Sequence, residues 1–222
     1  MLSIGAVTRQ LEIEESALVE THCPLLAKAM PWIGHRPTRA RGTIGGSLAS
    51  ADPSAEIPLV AVTLGATIFA REGGETLTFA ADDFFIAPLE TLLPDTACLT
   101  SVNFPIKSGR VGYGFQEVGT RESDFAIASA ACEVVCDEAG RCVSAQIAVG
   151  GIGARPVRLM GLADALVGSV IDTATLDDVI AAHEAELEAE ATVHASAAYR
   201  RRAAGRLLGL ALLEAQADAM RT

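Results

Sequence analysis

Positive charge and long apolar runs are both scarce in this sequence. Its 222 residues contain 17 Lys and Arg against 28 Asp and Glu, a formal net charge of −11 at pH 7. Proteins that bind nucleic acids usually need a basic face that neutralises phosphates, so this class is not expected. A helix that spans a bilayer needs about 20 apolar residues, and a secretory leader needs a basic start; neither pattern occurs. The sequence therefore predicts a soluble cytoplasmic protein without a membrane span.

Clustered metal ligands are missing too. The five cysteines are scattered and form no CxxC pair, and the four histidines are dispersed. An iron–sulfur cluster needs four thiolates in tighter groups, and structural zinc prefers ligands paired at short spacing. No Ser/His/Asp order indicates a nucleophilic site. We therefore predict no metal site, no catalytic residue, and buried free thiols in a reducing compartment.

What the sequence does have is a glycine-rich segment at residues 41–56, RGTIGGSLASADPSAE, followed by an apolar run at 57–64. Glycines let backbone N–H groups approach a phosphate closely, and hydroxyl side chains add donors. Asp52 and Glu56 can accept hydrogen bonds from a ribose or another hydroxyl. The segment is neither a Walker A loop nor the GxGxxG dinucleotide fingerprint. By spacing alone, a phosphate-binding loop and a plain loop connection both remain open.

The first half of the chain mixes strands and helices. Loose alternation of apolar residues predicts strands at 3–8 and 99–105. An apolar face predicts a helix at 23–30 that ends against Pro31. The tripeptide Glu72-Gly73-Gly74 between two alternating runs indicates a hairpin.

A polar, glycine-containing segment at residues 107–110 predicts a domain boundary, with one domain over 1–108 and another over 109–222. In the second domain, apolar residues first alternate, as in strands, and then recur at helical spacing. Gly150-Gly151-Ile152-Gly153 is interpreted as the tight turn that ends the last strand. Thr175 is the candidate N-cap of the second helix. We predict strands at 113–118, 125–136 and 142–149, and the turn at 137–141 joins the last two into a hairpin. Helices are predicted at 157–166, 175–190 and 194–220.

The segment 41–56 resembles the second flavin-binding motif of the FAD-carrying medium subunits of molybdenum hydroxylases, the carbon monoxide dehydrogenase and xanthine dehydrogenase group. Other segments resemble the same family in the same order along the chain. They are LSIGAVT at 2–8, PLLA at 24–27 with Ile33-Gly34, and HASAAYRR at 194–201. Ordered matches along nearly the whole chain are more specific than any single motif.

The resemblance implies an α+β fold: the second lobe of a p-cresol methylhydroxylase-type FAD-binding domain, then a C-terminal domain of a small antiparallel sheet plus helices. It also implies that Leu99 lies against the isoalloxazine and that Asp124 faces the ring region. At Gln116 some relatives have a lysine that reaches toward the flavin, and losing that charge argues against direct reaction with a nicotinamide. The implied FAD-binding residues are Thr43, Ile44, Gly45, Gly46, Ser47, Asp52, Glu56, Leu99 and Asp124.

The family's chemistry makes such a chain an electron-transfer subunit. The resemblance implies a large partner subunit that oxidises substrate at a molybdenum cofactor and a small partner subunit with iron–sulfur centres. FAD in this chain would accept their electrons and pass them to an external acceptor, and the whole would be a dimer of heterotrimers. Flavin suits this role because it converts one-electron delivery into two-electron release.

One departure from the family keeps alternatives open. Members carry an earlier lobe with a motif of the type Ala-Gly-Gly, and nothing in residues 1–42 replaces it. The true start lies upstream of Met1, a separate chain supplies the lobe, or flavin binding is impaired. A flavin-free structural or assembly subunit is the main alternative function, and a stand-alone flavin oxidase is a third.

Overall fold

Two four-stranded antiparallel sheets and a short ribbon form the framework in the computed structural model, which describes residues 1–121 and 123–221. The strands are β1 (Leu2–Gly5), β2 (Thr67–Glu72), β3 (Glu75–Ala80), β4 (Phe85–Ala87), β5 (Glu90–Thr91), β6 (Cys98–Phe104), β7 (Arg110–Gly119), β8 (Ala126–Cys136), β9 (Cys142–Gly150) and β10 (Val157–Arg158). The first sheet has the order β1-β6-β2-β3, the second has the order β10-β9-β8-β7, and β4 pairs with β5. The predicted hairpins β2-β3 and β8-β9 are confirmed.

Helices cover the sheets. They are α1 (Gln10–Glu14), α2 (Ala17–His22), α3 (Pro24–Ala29), α4 (Arg36–Arg39), α5 (Ile44–Ser50), α6 (Glu56–Thr63), α7 (Ala81–Phe84), α8 (Met160–Leu166), α9 (Thr173–Ala182) and α10 (Ala197–Ala219), with 3₁₀ turns at Met30–Trp32 and Glu184–Glu186. The apolar run after the glycine-rich segment is helix α6, and every residue of this helix is buried. A helix buried on all sides has no amphipathic period, so the sequence alone could not distinguish it from a buried strand.

Three predicted helix starts are wrong by two or three residues. Helix α8 begins at Met160 rather than at residue 157, because Val157–Arg158 form strand β10. Helix α9 ends at Ala182 rather than at residue 190. Asp172, not Thr175, is the N-cap of α9, and its carboxylate accepts hydrogen bonds from the N–H groups of Ala174 and Thr175 at 3.0 Å. Helix α10 begins at Ala197, after its N-cap Ser196, rather than at residue 194.

The second sheet is buried on both faces. Val111 and Phe115 of β7 enter the core beneath the first sheet, where α3 and α6 contact β7, β8 and β9. Ala128 and Cys132 of β8 enter a second core, formed with α8 and α10. Burial on both faces explains why β8 is an almost continuous run of small and β-branched residues.

Helix α10 lies directly on the backbone of β7. A Cβ atom added at Gly112 would be 1.9 Å from the carbonyl oxygen of Ala215, and one added at Gly114 would be 1.9 Å from that of Ala211. Both alanines are fully buried. The helix can come this close only because the strand has no side chain at these two positions.

All five cysteines are free, and four of them are buried. Cys98 differs from the prediction, because it is exposed near the start of β6. No group of three or more His, Cys, Asp or Glu side chains within residues 1–121 and 123–221 is placed to hold a metal ion. In the same residues, no helix is both long and apolar enough to cross a bilayer.

Candidate functional site

A cavity of about 420 Å³ opens where α1, the segment between α5 and α6, and the turn after β7 meet. It brings together four of the residues predicted to bind a cofactor, although one of them is distant in sequence. They are Ser47, Asp52, Glu56 and Asp124. The polar lining consists of hydroxyl, amide and carboxyl groups, and no Lys or Arg lines the cavity in the described part of the chain.

The first turn of α5 holds the other glycine-rich residues beside the cavity. Thr43 is the N-cap, and its hydroxyl accepts a hydrogen bond from the N–H of Gly46 at 3.0 Å. The N–H of Ile44 donates to the Thr8 carbonyl at 3.1 Å, and that of Gly45 donates to the Ala6 carbonyl at 2.8 Å. These amides belong to residues that the resemblance implies for FAD binding, and they are already paired within the chain.

Close packing explains the first glycine of the pair. A Cβ atom at Gly45 would be 2.6 Å from that of Ala6, so α5 needs a glycine to lie against the loop after β1. A Cβ atom at Gly46 would lie 2.9 Å from the Thr43 hydroxyl oxygen. Gly46 itself is exposed. Ser47 follows, and its side chain lines the cavity.

The segment from Asp52 to Glu56 is a fixed turn into α6. Ala51 ends α5 in the left-handed conformation, with φ of 48°. The N–H of Ser54 donates to the Asp52 carboxylate at 2.8 Å, and the N–H of Ala55 donates to the Asp52 carbonyl at 3.0 Å. Asp and Asn commonly order turns in this way. Glu56 is the first residue of α6 and is only 8% exposed.

Burial changes the acidity of Glu56. Desolvation raises the pKa of this carboxyl to about 7, and the negative charge of Asp52 adds to the rise, whereas a backbone hydrogen bond opposes it. Glu56 therefore holds or releases a proton near neutral pH, and it can donate a hydrogen bond as well as accept one.

A second buried carboxyl lies close enough to interact with Glu56. Glu117 of β7 is buried, and its Oε2 has no hydrogen-bond partner in the described residues. Desolvation raises the pKa of Glu117 to about 9, and the charge of Glu56 contributes. The alternation of β7 could have indicated this residue, since it shares a strand face with Val111 and Phe115.

Gln116, where a lysine was considered, faces the other way. Its Nε2 donates to Glu214 of α10 at 3.0 Å. The side chain that β7 directs toward the first core at this end is therefore Glu117. Adjacent residues in a strand point to opposite faces, so Gln116 and Glu117 lie on different sides of the second sheet.

Gln10 is a cavity residue that the sequence did not indicate. It is 6% exposed, and its Oε1 has no partner in residues 1–121 and 123–221. It packs against Gly42, where a Cβ atom would be 2.5 Å from that oxygen. A buried acceptor without a partner loses its hydration, so the oxygen marks a position for a donor from a ligand or water.

The remaining predicted residues lie around the cavity or away from it. Ile44 is fully buried in the first core, and Leu99 is a half-buried residue of β6 opposite Ala70. Neither is among the residues that line the cavity. Asp124 lies at its edge, where its carboxylate accepts the N–H of Phe125 at 3.0 Å. The Phe125 side chain is 71% exposed beside it.

Comparison with known proteins identifies the family of the chain. The family of the FAD binding domain in molybdopterin dehydrogenase matches residues 1–107, and the CO dehydrogenase flavoprotein C-terminal domain matches residues 113–215. The alpha subunit of the 6-hydroxypseudooxynicotine dehydrogenase complex of Paenarthrobacter nicotinovorans is 34% identical over 90% of this chain and 67% of its own length. The carbon monoxide dehydrogenase medium chain of Afipia carboxidovorans is 29% identical over 97% of this chain and 75% of its own.

The fold is similar as well. The crystal structure of quinoline 2-oxidoreductase from Pseudomonas putida 86 superposes with a TM-score of 0.93 and 32% identity, covering 99% of this chain and 76% of that one. The predicted α+β fold class is thereby confirmed, and the chain spans about two thirds to three quarters of the length of these relatives. The chain belongs to the FAD-binding medium subunits of the molybdenum hydroxylases, a family of oxidoreductases that includes carbon monoxide dehydrogenase.

Proposed function

We propose that the cavity beside α5 binds the hydroxyl-bearing part of FAD, and that the chain is the electron-transfer subunit of a molybdenum hydroxylase complex. The convergence of Ser47, Asp52, Glu56 and Asp124 around the unpaired oxygen of Gln10 is the observation that carries this proposal. All five residues offer oxygen acceptors, and a sugar alcohol offers hydroxyl donors in matching numbers.

The lining fits one part of FAD better than another. The ribityl chain and the ribose of FAD are neutral and rich in hydroxyls, whereas the pyrophosphate between them is anionic. Carboxylates at Asp52 and Asp124 would repel an anion in a cavity without Lys or Arg in its described lining. The first amides of α5 are already paired with Thr8 and Ala6. We therefore assign hydroxyl groups of FAD, not its phosphates, to this cavity.

Glu56 gives the cavity a protonatable side chain, and Glu117, which is not among the lining residues, interacts electrostatically with it. When bound, FAD supplies the exchange between one-electron and two-electron transfer. The raised pKa of Glu56, about 7, lets this lining carboxyl hold a proton near neutral pH, and the raised pKa of Glu117, about 9, keeps its neighbour neutral there. Neutral carboxyls hydrogen-bond to a flavin without adding negative charge beside it.

The partners follow from the family. We infer a small subunit whose iron–sulfur centres deliver electrons and a large subunit whose molybdenum cofactor oxidises the substrate, assembled as a dimer of heterotrimers in the cytoplasm. Supporting this, relatives are named as a medium chain or as a subunit of a dehydrogenase complex. The two predicted domains, residues 1–108 and 109–222, then have separate tasks: the first supplies most of the cavity, and the second closes it with Asp124.

Titration of FAD into the wild-type chain, alone and co-expressed with the neighbouring subunits, tests this proposal. We expect a flavin absorption spectrum with one FAD per chain. Gln10→Leu should weaken FAD binding about fivefold, the effect of losing one hydrogen bond.

Gln146→Leu is the matched control, because Gln146 of β9 also has a buried Oε1 without a partner in the described chain but does not line the cavity. Its FAD affinity should equal that of the wild type. A colourless wild-type complex would contradict FAD binding by this chain. Unchanged affinity in Gln10→Leu would place the cofactor elsewhere.

A further inference from the structure

Arg200, in the first turn of α10, is a buried cation with an unusual set of partners. It is 8% exposed, and it forms no ion pair with an acidic side chain in residues 1–121 and 123–221. Instead its guanidinium donates to the Gly151 carbonyl at 2.7 Å and to the Thr192 hydroxyl at 2.8 Å. Burying a charge without a counter-ion is costly, so the two hydrogen bonds indicate a specific task at this position.

Gly151 connects Arg200 to the cavity segment. While its carbonyl accepts from Arg200, its N–H donates to the Pro53 carbonyl at 2.8 Å. Its φ is +74°, and a Cβ atom there would be 3.1 Å from the Ala126 carbonyl oxygen. The turn after β9 is thus held between the helix on one side and residues 52–56 on the other.

A second contact attaches the same segment to the second sheet. The Ser54 hydroxyl donates to the Ala126 carbonyl at 2.9 Å, at the start of β8. Pro53 and Ser54 lie between the two acidic residues that line the cavity, Asp52 and Glu56. The position of both carboxyls therefore depends on the β8 start and on the turn after β9.

We propose that Arg200 is a positioning residue that acts through Gly151 on residues 52–56 and so sets the geometry of the cavity from the C-terminal helix. Its effect on cofactor affinity rests on the function proposed above, whereas its effect on the segment does not. Arginine suits the task because its rigid fork reaches two acceptors at once, whereas the lysine ammonium is a single point on a flexible stem.

Hydrogen–deuterium exchange on the full chain without added FAD tests the structural part. We expect Arg200→Gln to speed exchange about tenfold at the amides of residues 54–56, because the turn that holds them loses its anchor. Arg200→Lys, with a single ammonium nitrogen in place of two guanidinium nitrogens, should lie between this variant and the wild type. Exchange in the centres of β8 and α10 should not change.

Arg201→Gln is the matched control. Arg201 is in the same turn of α10 and also donates to a carbonyl, that of Leu187 at 3.2 Å. No hydrogen bond within the described residues joins Leu187 to residues 52–56. This variant should exchange like the wild type at residues 54–56. Equal acceleration by both variants, or none in Arg200→Gln, would overturn the proposal. If Arg200→Gln does not fold, the comparison of Arg200→Lys with Arg201→Lys decides in the same way.

FAD titration of the same variants tests the link to the cofactor. Arg200→Gln should raise the FAD dissociation constant about tenfold, and Arg201→Gln should leave it within twofold of the wild type. If the wild type binds no FAD, the proposed function fails. The exchange result still decides whether Arg200 orders residues 52–56. If exchange accelerates but affinity does not change, Arg200 orders the segment without serving the cofactor, and the proposal is wrong on that point.

Discussion

The two faces of the second sheet bury different chemistry. Toward α10, the strands present glycine, alanine and cysteine, and the helix rests on backbone at Gly112 and Gly114. Toward the first core, the same strands bury polar side chains, with Glu133 2% exposed and Ser129 1% exposed. Glu117 completes this polar row at the end of β7 that approaches the cavity.

Burial raises the pKa of both buried carboxyls on the face toward the first core. Desolvation raises the pKa of Glu133, although Lys107, a hydrogen bond from Tyr113 and Arg158 oppose the rise. Desolvation likewise raises the pKa of Glu117. Groups that cost folding free energy in this way concentrate at functional sites. The comparison teaches that one face stabilises the fold through close packing, whereas the other buries ionisable side chains at a cost in stability.

Breaking the close contact on the α10 face should have the largest effect. Gly114→Ala would place a Cβ atom 1.9 Å from the Ala211 carbonyl oxygen. No side-chain rotation relieves a clash of Cβ with backbone, so the helix must move. We expect the free energy of unfolding to fall by roughly 3 kcal/mol, measured by urea denaturation.

Gly205→Ala is the matched control, because its Cβ atom would make only an ordinary contact, 3.6 Å from Ile180. Replacing glycine by alanine inside a helix should stabilise the chain by about 0.5–1 kcal/mol. The two substitutions should therefore have opposite signs. Equal signs would mean that α10 does not lie against β7 as described.

Replacing Glu117 by glutamine, which cannot ionise, tests how much stability the buried carboxyl costs. Glu117 has an ordinary pKa of 4.5, raised in the fold to about 9, so folding takes up a proton between these pH values. The stability of the wild type should then fall as pH rises through this window, by up to about 1.4 kcal/mol per pH unit. Glu117→Gln has no proton to lose, so its advantage over the wild type should grow from pH 5 to pH 9 in urea denaturation.

The raised pKa of Glu56 also makes stability fall as pH rises. The wild type and Glu117→Gln both contain Glu56, so its contribution cancels when their free energies of unfolding are subtracted. The control is Glu138→Gln, at an exposed residue of the β8-β9 turn. Its difference from the wild type should not depend on pH over this range. A constant difference for Glu117→Gln as well would show that the Glu117 carboxyl is ionised in the fold.

Local patterns in the sequence predicted the α10 face better than the polar face. Alternation and a five-residue turn predicted the β8-β9 hairpin, and alanine-rich helical spacing predicted α10, because these signals come from neighbouring residues. The sequence did not show which face of the sheet carries Gln116 and which carries Glu117, since shifting a strand by one residue exchanges its faces. The register is set by pairing with β8, which a single sequence does not reveal.

The candidate site was predicted through resemblance rather than through local pattern. The glycine-rich segment supplied Ser47, Asp52 and Glu56, but Gln10 enters the cavity only because the loop after β1 packs against α5. The reason for Gly45 also differs from the expected one: it allows packing against Ala6, and its amide is already paired. Such roles depend on contacts between segments distant in sequence.

The smallest loss of stability should come from breaking the ion pair that connects the elements on the two sides of the second sheet. Lys28 of α3, on the first-core side, pairs with Glu214 of α10 at 2.6 Å, and the side chains are 28% and 30% exposed. Lys28→Met keeps the apolar stem and should cost about 0.5 kcal/mol, the range of a partly exposed pair. The cost is small because Glu214 keeps hydrogen bonds from the Phe115 N–H and the Gln116 amide.

Salt separates the charge of Lys28 from its packing. In urea denaturation the cost of Lys28→Met should shrink between 0.05 and 1 M NaCl, over which the Debye length falls from more than 10 Å to about 3 Å. Arg36→Met is the control, because the Arg36–Glu15 pair at 2.7 Å is 64% and 55% exposed and should contribute almost nothing. If the cost of Lys28→Met does not depend on salt, the loss of stability comes from packing of the Lys28 side chain. The ion pair with Glu214 would then contribute nothing to holding α3 and α10 together.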